Sequence, residues 1–483
     1  MSHGPAVPPA RRAAARSVRA MAAARGGCGA GDAENNVSSG EAPGGLTRRQ
    51  LHALEEDRLS PCALRSARAG RRIPLDSEGR ALDFRTEFQR DRDRIVHSRA
   101  FRRLRQKTQV YLPDRDDHLR NRLLHTLEVS GIARTISRAL ALNEDLAESI
   151  ALAHDMGHCA FGHAGETLLD EILTGRCGVP AVDPAAARQA GGFKHNYQSL
   201  RVVDRLEKRY RHPGLNLTDP VREGILKHTG MCSSIRYPDF DSRGLHLDRP
   251  PFLEAQVVAL ADEMAQQVHD LDDGLQDGAV DLAAVEALGL VKQVIGKLGS
   301  GYPSPSRFMR VNQIIRGAAH LLVASVVTWS SRQIAVWMDK EKIEGHEDFL
   351  ERIDRIPRNL VVLAPPVRGL YGELKRFVRR RIINSQQVNR TDQRARHCLS
   401  RLFATYFQQP LLLPNHLLLR FKEEEGGRFL RDCSPAGREK EIQTHFRKNP
   451  AFLRLLADHL ASMTDTYALA EYSRLHHPEA GSG

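Results

Sequence analysis

The chain is 483 residues long, with 71 lysines and arginines against 59 acidic residues and a formal charge of +12, a balance that favours polyanionic partners such as nucleotides, triphosphates or nucleic acid. Seven scattered cysteines with no C-x-x-C spacing argue against a disulfide framework and a thiolate zinc site. The best apolar run, LLVASVVTW at 321–329, stops at Ser330, Ser331 and Arg332, well short of the roughly 20 residues of a membrane span, so a cytoplasmic protein with no membrane partner is expected.

Residues 1–45 are rich in Ala, Arg, Gly and Pro, carry no acidic residue before Asp32, and read as a disordered basic leader; the same composition also resembles an organellar transit peptide. Residues 46–84 read as a loop-rich segment containing a basic turn, SARAGRRIPLDSEGRALDF. From 85 onward the pattern becomes helical. In NRLLHTLEVSGIARTISRAL the residues Leu124, Leu127, Ile132, Ile136 and Leu140 form one predicted stripe, and Asn143 is a predicted N-cap for a helix ending at His154. Gly157, Gly162 and Gly165 let the chain turn tightly after it. A Gly-, Pro- and Ala-rich stretch at 174–192 reads as loop. Helices are predicted at 195–210, 219–229, 253–275, 306–340, 366–383, 391–407 and 439–474. Strand-like alternation is scarce, so the fold class is all-α: a catalytic core over 85–275, a helical region over 276–475 that completes the fold and makes oligomer contacts, and a tail at 476–483.

The stretch HDMGHCAFGHAGE, residues 154–166, packs three histidines and two carboxylates among small residues. Neutral His and ionised Asp are the usual ligands of divalent ions. His154 and Asp155 end the apolar run SIALAHD. Asp262 sits inside the apolar helix AQVVALADEMA, where a carboxylate is costly to bury unless paired or bound to metal. Gln266 and Asp270 follow on the same face at i+4 and i+8. His125 is a further polar residue within RLLHTLEV. Together His125, His154, Asp155 and Asp262 make an N2O2 set from three helices. Read singly, each has an ordinary alternative: a helical histidine satisfied within a core, or Asp262 paired with an arginine.

His125, His154–Asp155 and Asp262 resemble the H…HD…D signature of the HD phosphohydrolase superfamily. The flanking RTEFQRDRDRIVHSRAFRRLRQKTQVY, RNRLLHTLEVSGIAR, GGFKHNYQSLRVV, LNLTDPVREGILKHT, LADEMAQQVHDLDDGL and MTDTYALAEY resemble, in order and spacing, the dGTP triphosphohydrolase family over roughly residues 85–475. The resemblance implies an HD-domain helical core and metal-dependent hydrolysis of a dNTP at its α-phosphorus, giving deoxynucleoside and inorganic triphosphate. It also implies Mn²⁺ or Mg²⁺ held by His125, His154, Asp155 and Asp262. His163 and Glu166 would be the catalytic pair, and His158 and His195 would lie near the α-phosphate. Arg122 would contact phosphate, with Lys227 a further phosphate candidate, while Gln109 and Asp270 would bind the sugar 3′-hydroxyl. A homo-oligomer is implied, and a regulatory dNTP or single-stranded DNA is a further partner to consider.

Three positions depart from the family pattern. Gln266 stands where a tyrosine usually packs near the sugar and α-phosphate, removing an aromatic wall and a phenolic donor; Ala160 stands where proline is common, and Thr466 where arginine is. The alternatives are an HD phosphohydrolase acting on another nucleotide phosphoester, or a weakly active nucleotide- or single-stranded-DNA-binding regulator. The basic stretches FRRLRQK (101–107) and KRFVRRR (375–381) read as a triphosphate site, a regulatory nucleotide site, a DNA groove or solvated helix faces.

Overall fold

A computed structural model describes residues 45–74, 83–109, 120–177, 182–231, 237, 239–302 and 306–477. The expected leader and tail lie almost wholly outside them. Among the described residues the chain is helical, with only two isolated β-bridges, Arg71 to Thr218 and Thr108 to Asn121, as the all-α reading requires. The elements are α1 (Arg48–Arg58), α2 (Glu87–Val96), α3 (Arg99–Arg103), α4 (Arg122–Ala139), α5 (Glu144–Ala153), α6 (Gly162–Leu173), α7 (Pro184–Gln189), α8 (His195–Arg201), α9 (Asp219–Lys227) and α10 (Leu253–Gln276). They continue through α11 (Leu282–Glu286), α12 (Gly289–Leu298), α13 (Arg307–Glu341), α14 (His346–Arg352), α15 (Pro365–Val378), α16 (Gln386–Gln408), α17 (Asn415–Glu425), α18 (Pro435–Glu441), α19 (Pro450–Ser462) and α20 (Asp465–His476).

Local chemistry sets the helix starts that matter for the site. Asn121 and Asn143 accept the Leu124 and Leu146 amides at 3.0 and 3.2 Å, opening α4 and α5. Several expectations are corrected. Helix α1 lies in the segment read as loop, because Thr47 and Gln50 form a reciprocal capping box. Helix α7 lies inside 174–192, capped by Asp183 with a proline in its first turn. The single helix expected over 439–474 is broken near Pro450 and again between Ser462 and Asp465. The stripe over α4 holds at its C-terminal end, where Ile136 and Leu140 are buried and Ile132 packs against the core, and fails at its start. Leu124 and Leu127 are 41% and 49% exposed, while Arg122, His125, Thr126, Val129 and Ser130 are buried, because the inward face serves a polar site and hydrophobicity does not mark it.

Two apolar cores result. The first joins α2, α4, α5, α9 and α10 with α12, α13 and α15; the second joins α6 and α7 with α16, α17, α19 and the start of α20. The 35-residue α13 is long and apolar enough to span a membrane by length and composition, yet Ile314, Leu322, Val326 and Trp337 are buried in the first core. The turn after α5 passes from one core to the other: Met156 belongs to the first, Cys159, Ala160 and Phe161 to the second. Gly157 makes the crossing possible, since a Cβ there would drive into the backbone of His195 and Ser199.

Glu254, at the start of α10, ties the N-terminal segment to this frame. Its Oε1 accepts the Leu64 and Asn143 amides at 3.0 and 3.1 Å, and its Oε2 is buried without a partner among the described residues. Burial pushes its pKa up to about 7 against the pull of those amides. A folded pKa above the unfolded value, about 4.3, means that the associated stability is complete below the unfolded pKa and is lost as pH rises through 7. Denaturant titrations of Glu254→Gln between pH 5 and 8 are expected to show the variant gaining on the parent as pH rises, by up to about 3 kcal/mol above pH 7. A pH-independent difference would refute the buried-acid assignment.

Candidate active site

Four side chains from α4, the C-terminal end of α5 and α10 converge. His125 Nε2 lies 2.9 Å from Asp262 Oδ1, and His154 Nε2 lies 3.5 Å from the same oxygen and 3.4 Å from Asp155 Oδ1. Ligand atoms of His125, His154 and Asp155 all fall within 4.8 Å of one another. The His154 Nδ1–H donates to the Ala151 carbonyl at 2.6 Å, which turns Nε2 inward, and that Nε2 is buried with no hydrogen-bond partner among the described residues. Such a nitrogen beside two carboxylates fits a divalent cation.

The electrostatics point the same way. Burial alone would raise Asp155, but His154, His158 and Arg122 outweigh it and hold the carboxylate well below its ordinary range. Burial likewise opposes the charge on Asp262, and His154 and His125 overcome it. In return, against burial, the two carboxylates lift His154 to about 9. A cation binding there must displace that proton. Arg122 Nη1 donates to Asp155 Oδ2 at 2.6 Å, placing the guanidinium at the edge of the set.

A second cluster, of histidines around Glu166, adjoins it. Glu166, one turn into α6, accepts from His163 Nδ1 at 3.1 Å and from His195 Nδ1 at 2.9 Å, and also from the His195 amide at 3.0 Å. Burial would raise Glu166, but His195 and His163 hold its carboxylate far below the usual range. His158 joins the two clusters, its Nε2 lying 3.2 Å from Asp155 Oδ1 and its Nδ1 3.8 Å from Glu166 Oε2. Burial, with Arg122 and His195 nearby, pushes His158 well below its ordinary pKa and keeps it neutral. The exposed member is His163, whose side chain is 63% accessible while that of His195 is 6%.

The remaining predicted residues divide. Asp270 is buried with both carboxylate oxygens unpartnered among the described residues, and burial together with the Asp273 charge raises it well above the carboxylate range. Gln109 also keeps a buried, unpartnered Oε1. Gln266 is half-buried on α10. Lys227 does not match its expectation as a phosphate contact: its buried ammonium is taken by Glu223 Oε1 at 2.7 Å and by the His246 and Arg249 carbonyls at 2.5 and 2.8 Å.

Other residues of the site went unnamed from sequence. His228, the residue after Lys227, donates from Nδ1 to the Ile225 carbonyl at 2.7 Å and presents Nε2 3.3 Å from His195 Nε2; with Asp155 and His195 it forms a second group able to hold an ion. Its signal was a histidine closing an amphipathic helix, in the quoted GILKHT. His269 backs His125, the two Nδ1 atoms 3.2 Å apart, and its own Nε2 pairs with Glu128. Asp465, from the MTDTY stretch, accepts the Thr108 and Phe161 amides at 2.7 Å each. Tyr371 on α15 is buried, its pKa raised by burial and by Glu263, to whose carbonyl its hydroxyl donates at 2.9 Å; no local pattern joined it to α10.

Residues 122–266 match the HD domain, and residues 361–432 match the phosphohydrolase-associated domain. The chain is 36% identical over 392 residues to a deoxyguanosinetriphosphate triphosphohydrolase-like protein of Nitrosomonas europaea, covering 81% of this chain and 91% of that protein. A protein of the same description from Geobacter sulfurreducens is 34% identical over 430 residues, 89% of this chain and 97% of its own length. One from Ralstonia pickettii is 36% identical over 421 residues, with 87% and 95% covered. The match runs through both domains and nearly the whole length of these relatives, and the chain therefore belongs to the deoxyguanosinetriphosphate triphosphohydrolase-like family of HD-domain phosphohydrolases.

Proposed function

We propose that the protein hydrolyses deoxynucleoside triphosphates at the α-phosphorus, releasing deoxynucleoside and inorganic triphosphate. The observation that carries this is Glu166, shared between His163 and His195 and linked through His158 to the His–Asp set: a proton-transfer group held beside a cation site is what cleavage of a phosphoester needs. The names of the relatives supply the substrate class, and the unpartnered Gln109 and Asp270 suit a sugar hydroxyl.

His125, His154, Asp155 and Asp262 would hold Mn²⁺ or Mg²⁺. When bound, the ion supplies Lewis-acid charge at the α-phosphate. Arg122 offers a guanidinium fork to a phosphate oxygen, at the cost of its bond to Asp155. Glu166 orients His163, so that His163 moves a proton between the attacking water or the leaving 5′ oxygen and solvent. Asp270, kept protonated by burial, can donate to the 3′-hydroxyl while Gln109 accepts from it.

The test is product analysis of each dNTP and one rNTP with Mn²⁺ or Mg²⁺. Tripolyphosphate and deoxynucleoside from dNTPs alone, lost in Asp155→Ala, are the expected products; pyrophosphate or orthophosphate instead would move the chain to another phosphoester. His163→Ala, at an exposed position, is expected to lower kcat by roughly 10²- to 10⁴-fold with the melting temperature unchanged, and Glu166→Gln to lower kcat in the same direction. Independently of turnover, Mn²⁺ at about 100 times its Kd should stabilise the wild type by about 3 kcal/mol. Asp262→Ala should abolish that gain, and an equal gain in both proteins would count against this ligand set.

A further inference from the structure

The two histidines of the His–Asp set are oriented in different ways. His154 donates its Nδ1–H to the Ala151 carbonyl, so the main chain sets its tautomer. His125 lies inside α4, where the helix itself uses the neighbouring carbonyls. Its Nδ1 instead meets another imidazole, His269 Nδ1, at 3.2 Å, with the ring centroids 5.4 Å apart and the planes at 90°.

Two ring nitrogens at that separation share one proton, and which of them carries it decides what His125 can do. If His269 donates, His125 must hold its own proton on Nε2, the nitrogen 2.9 Å from Asp262 Oδ1, and a protonated nitrogen cannot ligate a cation. If His125 donates, its Nε2 is bare. Asp262 favours the first arrangement, because an ionised carboxylate accepts and does not donate.

The far end of His269 favours the second. His269 Nε2 lies against Glu128 Oε2, another acceptor-only group, and so carries the ring's proton. The ring is buried, and burial outweighs the pull of Glu128 and lowers its pKa below the ordinary value. A neutral imidazole protonated on Nε2 has a bare Nδ1, which accepts from His125. Glu128 is held in turn by Arg120, whose Nε lies 3.3 Å from the same carboxylate oxygen while its Nη1 reaches Asp272 and Asp273 at 2.8 Å each. Helices α4 and α10 are thereby joined twice, by His125 with Asp262 and by Glu128 with His269.

We propose that Glu128 and His269 are positioning residues for the metal set, a carboxylate–imidazole relay that keeps the His125 proton on Nδ1 and leaves Nε2 bare for a cation. The relay presupposes that His125, His154, Asp155 and Asp262 hold that cation. Without Glu128, His269 is free to turn its proton to Nδ1, and His125 Nε2 is then closed by the proton that Asp262 attracts.

Calorimetric titration of Mn²⁺ into the chelator-treated full chain tests it, with Asp262→Ala as the reference for a lost ligand. His269→Leu removes the acceptor at His125 Nδ1 and is expected to weaken Mn²⁺ binding roughly 10- to 100-fold. His269→Asn, whose amide oxygen can take the place of Nδ1, is expected to bind more nearly like wild type than like His269→Leu. Glu128→Ala, at a side chain 34% exposed, is expected to weaken binding in the same direction, and it carries the comparison should His269→Leu melt early. Wild-type affinity in Glu128→Ala or in a folded His269→Leu, or equal loss in the Leu and Asn variants, would overturn the relay while loss in Asp262→Ala left the ligand set standing. No Mn²⁺ binding by wild type, or undiminished binding in Asp262→Ala, would remove the ligand set and the relay with it.

Discussion

The site depends on one close approach, between the turn that follows α5 and the first turns of α8. Gly157 donates its amide to Ser199 Oγ at 2.8 Å, and Ser199 Oγ in turn donates to the His154 carbonyl at 2.6 Å. No side chain separates the two backbones, and none could, since a Cβ on Gly157 would meet the His195 carbonyl and the Ser199 amide. This contact fixes His154 and His158 on one strand of the turn against His195 on the other. The His158 and His195 rings consequently stack with centroids 4.0 Å apart, and Glu166 can reach both sides of the pair.

Placing that contact where the two apolar cores meet has an electrostatic consequence. Buried carboxylates and imidazoles would each be costly alone. Here Asp155 and Asp262 are set among His125, His154, His158 and Arg122, and Glu166 between His163 and His195, so every anion has cationic or donating neighbours. The second core holds its half of the arrangement through Asp465. One of its oxygens takes the Phe161 amide, where the backbone is left-handed at φ 61°, and the other takes the Thr108 amide, next to Gln109. The C-terminal helix thus secures both the turn leading into α6 and the backbone next to Gln109.

The residues legible in the sequence were polar groups in places where polarity is expensive. Asp262 within AQVVALADEMA and His154–Asp155 at the end of SIALAHD stood out for that reason, and the helices bearing them follow their periodicity. The same logic failed on α4, whose inward face is Arg122, His125, Thr126 and Ser130, so its two exposed leucines looked like the core. Lys227 was misread because a lysine in a family motif invites a phosphate; the two backbone carbonyls that hold it, from His246 and Arg249, come from a distant loop. Asp465 and Tyr371 lie some 200 and 100 residues from the helix that carries Asp262, and long-range contacts of this kind leave no local period to read.

Tyr371 bears on the one substitution that most unsettles the family pattern. An aromatic residue on α10 would offer both a ring and a hydroxyl, whereas Gln266 offers neither. Tyr371, arriving from α15, is buried in the first apolar core, with its hydroxyl committed to the Glu263 carbonyl at 2.9 Å. That hydroxyl is therefore not free to stand in for the missing phenol. Under the proposed function, sugar recognition would fall to Gln109 and Asp270, whose buried oxygens have no protein partner among the described residues. Under that same function, a pocket that keeps its hydroxyl-reading groups and exchanges a phenol for an amide nearer the phosphate should keep a preference for deoxyribose more fully than its rate, because unmet buried hydrogen-bonding groups discriminate strongly, whereas a displaced donor at the phosphate stabilises the transition state less.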